Sequence, residues 1–133
     1  MIGRPAAGRR DESLRRAERM RRRTEYLRCY RQGRRRHGNL LILYAVPNDL
    51  DHPRLGITVS RKVGNSVVRH RVKRRIREIY RRWSARSQLP SMDFMVHAKP
   101  AIAPASFPTL SSELTRLLAT WLPRARATPS REE

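Results

Sequence analysis

Ten lysine and arginine residues lie between Arg61 and Arg82, and Glu78 is the only acidic residue among them. Over the whole chain, 31 basic residues face 11 acidic ones, which gives a formal net charge of +20. Such an excess predicts a polyanionic partner. Only three of the basic residues are lysine. The planar guanidinium of arginine suits phosphate oxygens and stacks on bases, so the composition favours a nucleic acid over a merely solvated basic surface.

The basic run has the periodicity of a helix from Gly64 to Trp83. At 3.6 residues per turn, one side carries an apolar stripe made of Val68, Val72, Ile76, Ile79, Tyr80 and Trp83. The opposite side carries His70, Arg74, Arg77 and Arg81. Like-charged pairs such as Lys73 and Arg77, four residues apart, each cost roughly 0.2–0.5 kcal/mol. An anion at the start of this helix, near the backbone N–H groups of residues 64–66, would relieve the repulsion.

Other residue groups give weak signals for chemistry. Asp49, Asp51 and His52 could suggest a metal site, but they lie between two prolines, where turn residues are expected anyway. No carboxylate pair, nucleophile–base set or His/Cys cluster with zinc spacing stands out in the sequence. The single cysteine, Cys29, cannot form an internal disulfide, which suits a reducing cytoplasm. No apolar run is long enough to span a membrane.

The elements that must position the basic helix follow from apolar patterns on either side of it. Thr24 is expected to cap a short helix that ends at Gly33. The predicted strands are 39–46, 54–62 and 93–99, and the first two are expected to form a hairpin through the turn 47–53. Ser106 is expected to start a last helix whose core face includes Leu110, Leu114, Leu117, Leu118, Trp121 and Leu122.

Three regions are predicted along the chain. Residues 1–23 are rich in arginine and poor in apolar residues, which predicts a basic, mobile tail. Residues 24–122 form the predicted RNA-binding domain, and residues 123–133 form a second, disordered tail. The sequence contains no internal repeat.

The stretch "RLGITVSRKVGNSVVRHRVKRRIREIYRR" (54–82) resembles the signature of the bacterial ribonuclease P protein component. In that family a strand of the form R-x-G-x-x-V-S-K/R-K leads through G-N-A/S-V-x-R-N-R into a basic helix. Two aromatic residues four apart in an upstream helix, here Tyr26 and Tyr30, also match, and so does an aromatic residue in the first strand, here Tyr44. The similarity covers about residues 19–122. One departure is His70, which stands where the family has asparagine.

The resemblance implies an α/β fold of the α+β sandwich kind, with a small central mixed sheet, flanking helices and a left-handed crossover through the basic helix. It implies a cytoplasmic protein subunit that joins a catalytic RNA to remove the 5′ leader of precursor tRNA. The RNA would hold the catalytic Mg²⁺ ions, so no catalytic residue and no cofactor is expected in the protein itself. Neither a membrane nor an obligatory protein partner is expected.

Site residues follow from the resemblance together with the helix pattern. The expected RNA-binding residues are Arg61, Lys62, Asn65, Arg69, His70, Arg71, Lys73, Arg74 and Arg77. Tyr26, Tyr30 and Tyr44 are expected to line a cleft that holds the unpaired leader, because aromatic rings are platforms for single-stranded bases. Phe107 and the two tryptophans are assigned to the core. A structural RNA binder such as a ribosomal protein, or a DNA-binding helix module, is the alternative.

Overall fold

The computed structural model describes residues 14–123, which contain three α-helices and four β-strands. The helices are α1 (Arg23–Gln32), α2 (Ser66–Arg82) and α3 (Phe107–Ala119). The strands are β1 (Arg34–His37), β2 (Leu41–Pro47), β3 (Arg54–Thr58) and β4 (Met92–Ala98). Short 3₁₀ turns lie at Arg16–Glu18, Ser84–Gln88 and Pro100–Ile102. The fold is α+β with a mixed sheet, which confirms the predicted fold class.

The four strands are ordered β1-β2-β4-β3 in one sheet. β4 pairs antiparallel with β2, with Tyr44 opposite Met95, and parallel with β3, with Gly56 opposite Met95. The predicted hairpin between the runs 39–46 and 54–62 is therefore wrong, because β4 lies between β2 and β3. β2 and β4 are both central strands buried on two faces, and their apolar sequences do not specify which neighbour each one takes. α2 connects the parallel neighbours β3 and β4.

One face of the sheet forms the main core with α2 and α3. Strand residues such as Leu43 and Phe94 pack there with Ile76 of α2 and Leu114 of α3, and all four are fully buried. The predicted apolar stripe of α2 is confirmed, with Val72, Ile76, Ile79 and Tyr80 buried and Val68 and Trp83 packed at the margin. The other face is covered by α1 and forms a smaller cluster of Met20, Cys29, Tyr44, Val46 and Met95.

A buried carboxylate connects the main core to the sheet. Glu113 of α3 is 6 % exposed, and it accepts hydrogen bonds from the backbone N–H groups of Asn39 (3.0 Å), Leu40 (2.8 Å) and Leu41 (3.1 Å). These donors lie at and just before the start of β2, and the carboxylate satisfies the N–H groups of Leu40 and Leu41, which would otherwise be buried without partners. The predicted start of α3 is confirmed, because the Ser106 side chain caps it by accepting from the Thr109 N–H.

Several local predictions differ from the structure. α1 begins one residue before Thr24, and Glu25 supplies the cap by accepting from the backbone N–H groups of Arg21 and Arg22, both at 2.9 Å. The predicted strand 54–62 ends at Thr58, because residues 61–63 form a turn. β1 was not predicted, since its sequence RRRH has no apolar residue. Phe107 is 40 % exposed rather than in the core, because it lies at the first turn of α3.

Candidate nucleic-acid interface

α2 presents its charged side because its apolar stripe is fixed in the core. Asn65 begins the helix by accepting a hydrogen bond from the Val68 N–H at 3.0 Å. No acidic residue lies in the first turn of α2. Arg69 donates to the carbonyl of Gly64 at 2.8 Å, so its guanidinium is held against the turn that leads into the helix. The positive end of the helix dipole and the Arg69 guanidinium together favour a bound anion.

The first half of α2 carries most of the predicted RNA-binding residues. His70, Arg71 and Arg74 line a shallow hollow of about 450 Å³ together with Ser66 and Val67. Val67 is 69 % exposed, which is unusual for a large apolar residue. The turn before the helix adds Arg61 and Lys62, and both are exposed. This surface offers cations, helix-start N–H groups and an apolar side chain, a combination that suits a nucleic-acid backbone.

A cluster of aromatic rings forms a second candidate surface, on the sheet face opposite α2 and beside α1. Tyr30 meets Tyr44 edge-on with ring centroids 5.1 Å apart, and it meets His97 edge-on at 5.8 Å. The Tyr30 hydroxyl and the His97 Nδ1 share a hydrogen bond of 2.9 Å. Tyr30 is 38 % exposed whereas Tyr44 is only 7 % exposed. Tyr30 therefore presents the accessible ring of this pair, and Tyr44 supports it from below.

His97 belongs to this ring cluster but was not among the predicted site residues. Burial, and then the charge of Lys99, lower the pKa of His97. The lowered pKa favours the neutral ring, and the tautomer that carries its proton on Nε2 accepts at Nδ1 from the Tyr30 hydroxyl. Alternation along β4 is a signal that could have found it. His97 follows Asp93 and Met95 on one face, while Phe94, Val96 and Ala98 occupy the other.

Tyr26 lies one turn before Tyr30 on α1 but takes a different environment. Its hydroxyl donates to the Met20 carbonyl at 3.3 Å, and burial raises its pKa. The ring packs over Gly56, where an added Cβ would lie 2.9 Å from the Tyr26 Cε1 atom. Lys73 and Arg77 of α2 line the same pocket as Tyr26. The predicted cleft residues therefore divide into the pair Tyr30 and Tyr44 and the separate Tyr26.

An ionic network joins α1 to the sheet on this face. Arg54 donates to both oxygens of Asp93 at 2.8 Å and to Glu25 at 2.9 Å. Asp93 is 1 % exposed and also accepts from the Asn48 amide at 2.9 Å. The hydrogen bonds to Asp93 raise the pKa of Arg54. Burial opposes the ionised form of Glu25, but hydrogen bonds from the backbone of Arg22 and Arg21 and from Arg54 outweigh it and lower the pKa.

The residues that gave only weak signals for chemistry in the sequence have ordinary contacts within residues 14–123. Asp51 pairs with His52 at 2.9 Å, and no group of three His, Cys, Asp or Glu residues in this range could hold a metal ion. Burial raises the pKa of the Cys29 thiol to about 12, so it remains protonated in the α1 cluster. None of the described helices is both long and apolar enough to cross a membrane.

Fold and site together define a small α+β protein that presents an arginine-rich crossover helix and, on the other sheet face, a cluster of rings in which Tyr30 is exposed. A family model described as Ribonuclease P matches residues 14–121. The chain belongs to the bacterial ribonuclease P protein family, which confirms the resemblance. It is thus a protein component of an RNA-based endoribonuclease that processes tRNA. Relatives named ribonuclease P protein component include that of Syntrophus aciditrophicus, 39 % identical over 80 % of this chain and 88 % of the relative.

Further relatives and solved structures agree with this membership. The ribonuclease P protein component of Alkaliphilus metalliredigens is 42 % identical over 67 % of this chain and 79 % of its own length. A Staphylococcus aureus RNase P protein mutant superposes with a TM-score of 0.72 at 30 % identity, covering 78 % of this chain and 87 % of that one. The RNase P protein from Thermotoga maritima superposes with a TM-score of 0.68 at 30 % identity, covering 76 % and 94 %. The roles of individual site residues stay predictions.

Proposed function

We propose that this protein binds the catalytic RNA of ribonuclease P and the 5′ leader of precursor tRNA, and so supports removal of that leader. The observation that carries the proposal is the exposed basic surface around the start of α2, in a chain whose family match spans residues 14–121. Association with the ribonuclease P RNA follows from family membership, whereas the leader and the residue roles are our proposal. These partners would place the working protein in the cytoplasm.

The catalytic RNA is the proposed ligand of the α2 surface. The residues proposed to contact it are Arg61, Lys62, Asn65, Arg69, His70, Arg71, Lys73, Arg74 and Arg77. Arg69 and Arg71 lie closest to the helix start, where the dipole and an RNA phosphate attract each other. A neutral His70 ring can donate a hydrogen bond from one nitrogen and accept one at the other, which serves a phosphate or ribose contact.

The leader is the proposed ligand of the ring cluster on the α1 face. Tyr30 offers an accessible ring for an unpaired base, and Tyr44 and His97 hold that ring through edge contacts and one hydrogen bond. Tyr26 would extend this surface toward α2. Mg²⁺ is proposed to be bound by the RNA, where it would supply charge stabilisation and an activated water.

A reconstituted cleavage assay tests the proposal. The protein, its RNA subunit, Mg²⁺ and a precursor tRNA are mixed, and release of the leader is measured at increasing salt. We expect leader release only with the RNA present and a steep loss of RNA affinity with salt, because several phosphates are contacted. A salt slope near zero, or robust cleavage by the protein without RNA, would contradict the proposal.

Single substitutions then locate the interface. Arg69→Ala and Arg71→Ala should each weaken RNA-subunit binding by about 1.5–3 kcal/mol, the usual contribution of a hydrogen bond to a charged group. Arg116→Ala is the matched control, because Arg116 is an exposed arginine on α3, outside the basic helix. All three variants should fold, and Arg69→Ala should lose only the small contribution of its hydrogen bond to the Gly64 carbonyl. Equal losses at the three positions would favour diffuse attraction over a defined surface.

A further inference from the structure

A pocket of about 380 Å³ lies at the outer edge of β3. Some of its lining residues belong neither to the basic surface of α2 nor to the Tyr30 ring cluster. Residues 14–21 form one wall, Leu55 and Ile57 of β3 form the floor, and α2 closes the far side. Five basic residues line it, namely Arg16, Arg19, Arg21, Lys73 and Arg77. The three arginines come from a segment that the sequence assigned to the basic tail.

The wall formed by residues 14–21 is attached to the rest of the protein at three points. The Met20 N–H donates to the Leu55 carbonyl at 2.9 Å, which adds a bridge to the free edge of β3. His52 Nε2 donates to the Ala17 carbonyl at 2.8 Å. The Tyr26 hydroxyl donates to the Met20 carbonyl at 3.3 Å. The arginines of this segment are therefore presented by backbone that the fold holds in place.

Charge in the pocket is uncompensated within residues 14–123. No acidic residue lines it, and none of the ion pairs seen in this part of the chain uses any of its five cations. The nearest acids in sequence are engaged elsewhere. Glu18 accepts from the Arg15 N–H, and Glu25 accepts from Arg54 and from the backbone at the start of α1. Converging like charges repel each other, so the arrangement favours a bound anion.

The same pocket also has apolar lining residues, namely Leu14, Met20, Tyr26, Leu55 and Ile57. Met20 and Leu55 are buried, whereas Leu14, Tyr26 and Ile57 are half-buried and keep part of their surface accessible. A bare phosphate would use the cations and leave that accessible apolar surface in water. A nucleotide uses both, because its base covers the apolar and aromatic groups while its phosphate meets the arginines. The volume lies within the range of about 300–1,000 Å³ that is usual for small-molecule sites.

We propose that this pocket binds one unpaired, phosphate-bearing RNA nucleotide, at a site separate from the Tyr30 ring cluster. The proposal rests on the proposed function, because the nucleotide would belong to the ribonuclease P RNA or to the leader. It adds Arg16, Arg19 and Arg21 to the RNA-binding residues. It also gives the segment 14–21 a role, which is to complete the pocket against β3 and α2.

Direct binding to the isotopically labelled full chain provides the first test. The probe is a 5′-phosphorylated triuridylate, followed by backbone amide shifts. We expect shifts at Met20, Leu55 and Ile57, and at least about fivefold weaker binding of an abasic analogue, the lower end of a stacking contribution. Shifts confined to Ile42 and His97 would overturn the pocket while supporting the leader cleft. An abasic analogue that binds equally well would contradict the proposal that the pocket binds a base, and would indicate a site for phosphate alone. Shifts at neither place would count against the proposed function as well.

A charge-matched pair of variants provides the second test. The triple variant Arg16→Ala, Arg19→Ala, Arg21→Ala is compared with Arg31→Ala, Arg34→Ala, Arg116→Ala, which removes three exposed arginines outside the pocket. The pocket variant should lower the log–log salt slope of RNA binding by about 0.7, because the pocket is proposed to hold one phosphate and each phosphate neutralised on a single strand contributes about 0.7. The control should leave the slope unchanged, and equal slopes in the two variants would overturn the proposal.

The source of the nucleotide follows from which RNA shows the loss. Weaker binding of the isolated RNA subunit assigns the pocket to the catalytic RNA. Weaker binding of long-leader precursor to the holoenzyme, with unchanged binding of mature tRNA, assigns it to the leader. If the wild-type protein itself fails to support cleavage with its RNA subunit, the proposed function falls, independently of any result at the pocket.

Discussion

The two faces of the sheet are held by different forces. The face toward α2 and α3 is apolar, and Leu43, Phe94 and Leu114 are fully buried there. The face toward α1 has one covering helix, a small apolar cluster and the network of Arg54, Asp93 and Glu25. Hydrophobic burial is non-directional and removes the whole packed surface from water. An ionic network fixes the positions of its charged side chains without covering the surface around them. The α1 face is therefore able to leave Tyr30 accessible while its neighbours stay in register.

Truncating a central side chain of the α2–α3 face should have the largest effect. Phe94→Ala removes a ring that is fully buried in the main core. We expect a loss of about 3–5 kcal/mol in the free energy of unfolding, from lost burial and the cavity left behind. Urea unfolding measures it. Val67→Ala is the control and should change stability by less than about 0.5 kcal/mol, because Val67 is largely exposed. Similar values for both would show that the sheet face is not the core.

Breaking the ionic network should have the next largest effect, on the other face. Arg54→Met leaves Asp93 buried, with Asn48 as its remaining side-chain hydrogen-bond partner among residues 14–123. We expect a loss of about 3 kcal/mol, at the lower end for breaking a buried ion pair. A double-mutant cycle with Asp93→Asn should be strongly non-additive, because each change removes the same contact. Additive losses would mean that packing, not the network, holds α1 to the sheet.

Removing the accessible ring should affect substrate binding more than folding. Tyr30→Ala should weaken binding of precursor tRNA by the holoenzyme by about 1–3 kcal/mol, the contribution of one stacked base. Binding of mature tRNA, which has no leader, should change little. Tyr30→Phe keeps the ring but loses the hydrogen bond to His97, so it should be the milder change. Equal losses of binding free energy for precursor and mature tRNA would indicate that Tyr30 has a structural role instead.

His97 on the α1 face should give a small pH effect. The pKa of His97 is lowered in the folded protein, so its neutral form contributes stability that is present above pH 6.5 and lost as the pH falls toward the folded pKa. The pKa of His52 is raised, chiefly by Asp51, and its contribution is lost as the pH rises instead. The unfolding free energy of the wild type minus that of His97→Gln should therefore decrease from pH 7 to pH 5. A difference that is constant with pH would contradict the assignment.

Much of the α2–α3 face could be predicted from the sequence. The 3.6-residue periodicity located α2 and α3, and it identified the buried stripe from Val72 to Tyr80, because a helix fixes which residues share a side. The strands β2 and β4 were found from short apolar runs. The basic surface of α2 followed from the apolar stripe, because the charged residues outside that stripe cannot be buried and must face outward. The long stretch 54–82 was specific enough to identify the family, which composition alone could not.

Only the tertiary structure decided how these elements meet. The order β1-β2-β4-β3 replaced the expected hairpin, because backbone hydrogen bonding is the same for every strand and does not encode a partner. It brought His97 beside Tyr30, 67 residues apart in sequence, and Arg54 beside Asp93. It also folded residues 14–21 against β3, although their composition resembles a tail. Local patterns determine helices, strands and faces, whereas contacts between distant residues depend on which arrangement buries most apolar surface while satisfying its polar groups.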